Sequence, residues 1–168
     1  MYADIVFQNG NEREFIEMAK KLGYSQVFFI YQFGKPIPEQ LQGSAVEVHR
    51  GVLAELKNLQ KAGRTAHFVL FRGSERQVFE RGIAKLAFDI EDTPKADSLH
   101  YRNSGFNNVL SQLAHDKNVD IGFSFSSILN SGQRAKLMGR MSQNIRLCRK
   151  YEAGMKIASF AKTPYGMR

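Results

Sequence analysis

The feature that most constrains this chain is its rhythm. Short apolar stretches that suit strands alternate with longer segments of helical period, and no low-complexity tract interrupts them. Ala3–Phe7 reads as a first strand. Asn11 then opens a helix with Phe15, Ile16, Ala19 and Leu22 on one face, and Gly23 stops it. Gln26–Phe33 is a buried strand, and Gly34–Pro38 a loop. Val48, Val52, Leu56 and Leu59 recur at spacings of four, four and three, which predicts a helix over Val46–Ala62 ended by Gly63. Strands follow at His67–Phe71, Ala87–Ile90, Val119–Phe125 and Met155–Phe160. Helices come between them: one from Ser74 carrying Val78, Phe79 and Ile83, then Phe106–Lys117 with Val109, Leu110, Leu113 and Ala114 inward, then Gln133–Glu152 capped by Asn130 and Ser131. Such strand–helix repeats predict an α/β fold, a mainly parallel sheet with helices outside. An open doubly wound sheet and an incomplete β/α barrel both fit. The 168 residues suit one domain and are short for a full eight-stranded barrel.

Charge narrows the function. The net charge is +8, and all of it lies in residues 134–168, where nine basic residues face the single acid Glu152. The first 133 residues are balanced. A polyanion is the natural partner for such a segment, because Coulomb attraction and counterion release both favour it. On the Gln133–Glu152 helix, Leu137, Met138, Met141, Ile145 and Cys148 share one arc at 100° per residue. Lys136, Arg140, Arg146 and Lys150 fall opposite, so a basic stripe is expected to face outward without the acids four residues away that usually balance one.

Motifs for chemistry are weak by comparison. His49, His67, His100 and His115 are widely spaced and form no pair of metal-ligand spacing. Asp89, Glu91 and Asp92 cluster after a strand and could hold Mg²⁺, although a solvated turn explains them as simply. Ser124, Ser126 and Ser127 do not form a nucleophile elbow, and Gly122 and Gly132 belong to no phosphate loop. Cys148, the lone cysteine, reads as packing and points to a reducing cytoplasm. No apolar run is long enough for a membrane helix, and the first residues do not read as a signal peptide.

Three pieces in order, Gly105-Phe-Asn-Asn-Val-Leu, Gly122-Phe-Ser-Phe and Arg134-Ala-Lys-Leu-Met, resemble the ribonuclease P protein component 3 family, the archaeal counterpart of the eukaryotic thirty-kilodalton ribonuclease P subunit. Lys150-Tyr151 and the Ser159-Phe-Ala161 strand leading to Arg168 extend the match. The resemblance implies a TIM-barrel-like fold, similar to the polymerase and histidinol phosphatase barrel without its metal ligands. It implies a non-catalytic subunit that binds ribonuclease P RNA beside protein component 2 and other subunits, meets precursor tRNA indirectly, and assists removal of its 5′ leader. Any Mg²⁺ would belong to the RNA, with no cofactor in the chain. Arg81, Arg102, Lys117, Lys150 and Arg168 match the family's basic positions. With Arg134, Lys136, Arg140, Arg146 and Lys162 from the basic segment, they are the expected RNA contacts. Ser126 and Ser127 stand where the family has a basic residue and a proline, and the family continues beyond the position of Arg168, so a shortened C-terminal barrel wall is expected. The competing class is a metal-dependent phosphoesterase on the same barrel, with its ion near Asp89 and Glu91. A protein-docking scaffold with an apolar edge beside Met155–Phe160 is a third reading.

Overall fold

The computed structural model describes residues 2–37 and 46–167. Pro38 and Arg168 lie outside the described residues. Seven strands form one sheet: β1 Ala3–Phe7, β2 Gln26–Gln32, β3 Glu47–Ala54, β4 Val69–Arg72, β5 Leu86–Phe88, β6 Asp120–Ser124 and β7 Met155–Ala158. Every neighbouring pair is parallel, and the order follows the chain from β1 to β7. A parallel bridge between Val6 and Ala161 brings the ends of the sheet together, with the Phe7 N–H donating to the Ala161 carbonyl at 2.8 Å. The Asp4 carboxylate bridges the same seam, accepting from the Ser159 N–H at 2.7 Å. The sheet is therefore a nearly closed, TIM-barrel-like cylinder.

Strand alternation sorts the side chains into two layers. Ile5, Ile30, Leu70, Leu86, Phe88, Ala158 and Phe160 point into the barrel. Phe88 and Phe160 stack there with centroids 4.7 Å apart, and Phe7 leans on Phe88 at 5.7 Å. Gly122 makes room for them, since a Cβ at that position would sit 3.0 Å from Phe88 and 3.1 Å from Phe160. The barrel is thus a packed core rather than a pore. Alternate residues point outward, Val6, Val27 and Phe29 against the helix α1 Glu12–Leu22, and Val52, Val69, Ile121 and Phe123 against the helices α2 Leu59–Thr65, α3 Arg76–Arg81, α4 Asn108–Asp116 and α6 Arg134–Tyr151. A short helix, α5 Phe125–Asn130, follows β6 directly, its first turn held by the Ser124 hydroxyl accepting from the Ser127 N–H.

Two differences from the sequence reading have clear causes. The helix expected over Val46–Ala62 is mostly strand β3, followed by a 3-10 turn Leu56–Asn58 and then α2. A spacing of four residues fits the period of two as well as that of 3.6, so Val48 and Val52 serve a strand equally. The sheet accordingly has seven strands instead of six. Gly63 does not end α2 but lies within it, at a point where a Cβ would meet the Ile83 side chain at 2.4 Å.

The quoted Gly105 motif has a structural cause. Gly105 has φ +73°, and a Cβ there would lie 2.1 Å from the Ile90 carbonyl oxygen. Asn107 caps α4 by accepting from the Leu110 N–H at 2.9 Å. Phe106 is buried against Phe79. Val109, expected inward, is 55% exposed.

Candidate nucleic-acid interface

The long connection from β5 to α4 organises one end of the molecule, and α6 is its support. The buried face of α6 is Arg140, Met141, Asn144 and Cys148. It is rotated by roughly 50° from the arc the apolar residues suggest, at 100° per residue. Met138, expected in the core, is exposed as a result. Arg140, expected outward as an RNA contact, is only 4% exposed. Its guanidinium donates to the carbonyls of Glu91 and Thr93, both at 3.0 Å, and to that of Lys95. Nε also donates to Asp97 at 2.9 Å, and this bond holds the Asp97 carboxyl below its usual range. A fork of five donors fits a turn of convergent carbonyls, and Arg140 is spent on that purpose. It is a clamp on the connection and not a surface contact.

Beside it, Asn144 donates to Glu91 Oε1 at 2.8 Å and to the Ser104 carbonyl at 3.1 Å. Burial pushes the Glu91 carboxyl up to about 7. Glu91 Oε2 and Asn144 Oδ1 are both buried without a hydrogen-bond partner. A protonated Glu91 would satisfy both through one O–H donor. Burial likewise pushes the Cys148 thiol up to about 12, which removes it as a nucleophile.

The acids considered for a metal diverge. Asp89 accepts from Arg72 Nε at 2.9 Å and from the Ser127 hydroxyl at 2.6 Å. Asp92 pairs with the same guanidinium at 3.2 Å, while Glu91 turns away beneath α6. Among the described residues, no group of three or more histidine, cysteine, aspartate or glutamate side chains could hold a metal ion. His49 stacks on Phe28, and His115 rests on the Glu152 carbonyl.

The basic residues fall at two ends of the barrel. Because the strands are parallel, helix C-termini and strand starts share one edge. Arg81 closes α3, Lys117 caps α4 and Lys150 lies in the last turn of α6, so these three expected residues come to that edge. A Cβ at Gly82 would lie 3.0 Å from the Lys117 Cβ, which ties the ends of α3 and α4, and His115 on Glu152 ties α4 to α6. Lys85, directly before β5, and Arg149 extend the rim. The sequence reading did not single out these two, although parallel topology alone places them there. Lys150 lies over the Tyr151 ring at 5.2 Å. None of these five cations forms an ion pair among the described residues.

Lys136 and Arg102 lie at the opposite end, around the β5–α4 connection, with the Arg102 guanidinium against Gly139. Arg134, at the start of α6, donates to the Leu129 carbonyl at 2.7 Å. Arg146 is exposed midway along α6, and Lys162 is exposed on the segment that closes the barrel. The expected single stripe is therefore two groups, because the connection covers one flank of α6.

Comparison with known proteins places this geometry. The profile of the family described as RNase P subunit p30 matches residues 2–168. Ribonuclease P protein component 3 of Methanococcus vannielii is 22% identical over 169 residues, which cover 98% of this chain and 67% of that protein. Its counterpart in Methanocaldococcus jannaschii is 24% identical, covering 94% of this chain and 73% of the relative. For the Methanococcus maripaludis C7 protein, 26% identical, the match covers 77% of this chain and 62% of the relative. The chain thus spans about two thirds of the length of these relatives. A chain of the cryo-EM structure of archaeal ribonuclease P with mature tRNA superposes with a TM-score of 0.79 at 19% identity, covering 98% of this chain and 77% of that one, which identifies the fold. With the profile running over nearly its whole length, the chain belongs to the RNase P subunit p30 family.

Proposed function

We propose that this chain is an RNA-binding subunit of ribonuclease P that supports the catalytic RNA in removing the 5′ leader of precursor tRNA and supplies no reacting group itself. Family membership supports the assignment. The observation that carries the binding mode is the rim of Arg81, Lys85, Lys117, Arg149 and Lys150, five cations at one edge of the barrel with no carboxylate paired to them among the described residues. Unneutralised cations on a rigid edge suit phosphates at helical spacing, and such contacts position an RNA without reading its sequence. Mg²⁺ belongs to the RNA in this reading, and the partners are ribonuclease P RNA, protein component 2 and other protein subunits. A reducing cytoplasm agrees with one buried cysteine. No helix among the described residues is long and apolar enough to cross a membrane.

The phosphoesterase reading gains no support, since Asp89 and Asp92 are already engaged by Arg72 and Glu91 turns away from them. Reconstitution with the RNA and partner proteins tests the assignment. The chain should raise precursor-tRNA cleavage, Arg81→Glu with Lys150→Glu should abolish that gain, and Asp89→Asn should retain it when its circular dichroism is native. Loss of cleavage in a folded Asp89→Asn protein would place chemistry in the chain and overturn the proposal.

A further inference from the structure

The β5–α4 connection and the flank of α6 border an open cleft of about 710 Å³. That lies within the ~300–1,000 Å³ range of small-ligand sites. Its lining includes Lys95, Tyr101, Arg102, Asn103 and Asn108, and it contains no aspartate or glutamate. Neither Lys95 nor Arg102 forms an ion pair among the described residues. The Tyr101 residue is 63% exposed and lines the cleft, so its ring is open to a stacking partner beside the two cations.

The backbone behind these side chains is fixed. Arg140 holds the Lys95 carbonyl, and the Ser98 hydroxyl both donates to the Tyr101 carbonyl and accepts from the Tyr101 N–H, each at 3.1 Å. Asp97 accepts from the Asn103 N–H at 2.9 Å. The Arg102 guanidinium lies flat on α6 because Gly139 has no side chain, and a Cβ there would sit 2.8 Å from Nε. A site prepared in this way loses little freedom when it is filled.

We propose that this cleft receives one unpaired nucleotide of a bound RNA. Tyr101 stacks on the base, Lys95 and Arg102 meet the flanking phosphates, and the Asn108 amide faces the base edge, while the Asn103 amide is held by the Ala96 carbonyl and fixes the loop. Stacking platforms beside cations recognise unstacked bases in this way. The inference rests on the RNA-binding function proposed above and adds a nucleotide subsite at the end of the barrel opposite the rim.

Two hairpin RNAs, identical except that one carries a single bulged 2-aminopurine, test it with the full chain. The bulged hairpin should bind about ten-fold more tightly, and its 2-aminopurine fluorescence should fall on binding. Tyr101→Ala and Lys95→Ala should each reduce the preference for the bulge, Tyr101→Phe should keep it, and Lys150→Glu should weaken both hairpins alike. Equal affinity of the unaltered protein for the two hairpins would overturn the nucleotide subsite while leaving RNA binding intact. Failure to bind either hairpin would overturn both.

Discussion

Replacing Arg140 with methionine separates a clamp from a surface contact. Methionine keeps the unbranched apolar stem and the helix propensity of the position but removes the guanidinium. The Glu91, Thr93 and Lys95 carbonyls then lose their donor, in a place where Arg140 is only 4% exposed. A hydrogen bond to a charged group contributes about 1.5–3 kcal/mol, and breaking a buried charged network costs about 3–5 kcal/mol. We take about 4 kcal/mol, a large share of the ~5–15 kcal/mol that holds a domain folded. At ~2–4 °C per kcal/mol for a chain of this size, the melting temperature should fall by about 8–16 °C. Thermal unfolding followed by circular dichroism reads this directly, and limited trypsin digestion should cut faster after Lys95 and Arg102, both already exposed, once the connection loses its anchor. Arg140→Lys should lose most of the same stability, because a point charge cannot reproduce the fork. A melting temperature within 1–2 °C of the unaltered protein, together with weakened RNA binding, would refute the reasoning and restore Arg140 to the surface.

Two further outcomes follow from the same region. Burial raises the Glu91 carboxyl from 4.5 to about 7, so the folded state holds this proton more tightly than the unfolded one. Its contribution is fully present below about pH 4.5 and is lost as pH rises to about 7, a loss of about 3 kcal/mol. Glu91→Gln removes that loss and offers an N–H to Asn144 Oδ1. Urea unfolding should find the variant more stable at pH 8 and nearly equal at pH 4.5, whereas equal stability at pH 8 would contradict the assignment. Gly105→Ala should cost well over 1 kcal/mol, because positive φ and the Ile90 carbonyl both oppose a side chain. A neutral melting curve for that variant would mean that the connection moves aside.

The alternation of strands and helices made the parallel α/β fold legible before any coordinates, and the resemblance selected a barrel from the two architectures that fit. Barrel closure itself was not legible, because it depends on Asp4 meeting Ser159 across 155 residues of chain. The strand β3 was hidden because Val48 and Val52 satisfy two periods at once. The site was legible as charge and illegible as geometry. Helical arithmetic orders residues around α6, yet it does not know that the Glu91–Asn107 connection lies against one flank, so a buried Arg140 looked like an exposed one. Arg81, Lys117 and Lys150 come to one edge for a reason the sequence does contain, namely that each ends a helix before a parallel strand. The same rule would have found Lys85 and Arg149.

The salt dependence of binding to ribonuclease P RNA tests the central claim most directly. Each phosphate contact contributes about one unit to the slope of log affinity against log salt. The unaltered chain should give a steep negative slope, and joint replacement of Arg81, Lys117 and Lys150 by alanine should flatten it by about three units without changing the melting temperature. A slope that does not change, in a variant that stays folded, would contradict an RNA contact along this edge of the barrel.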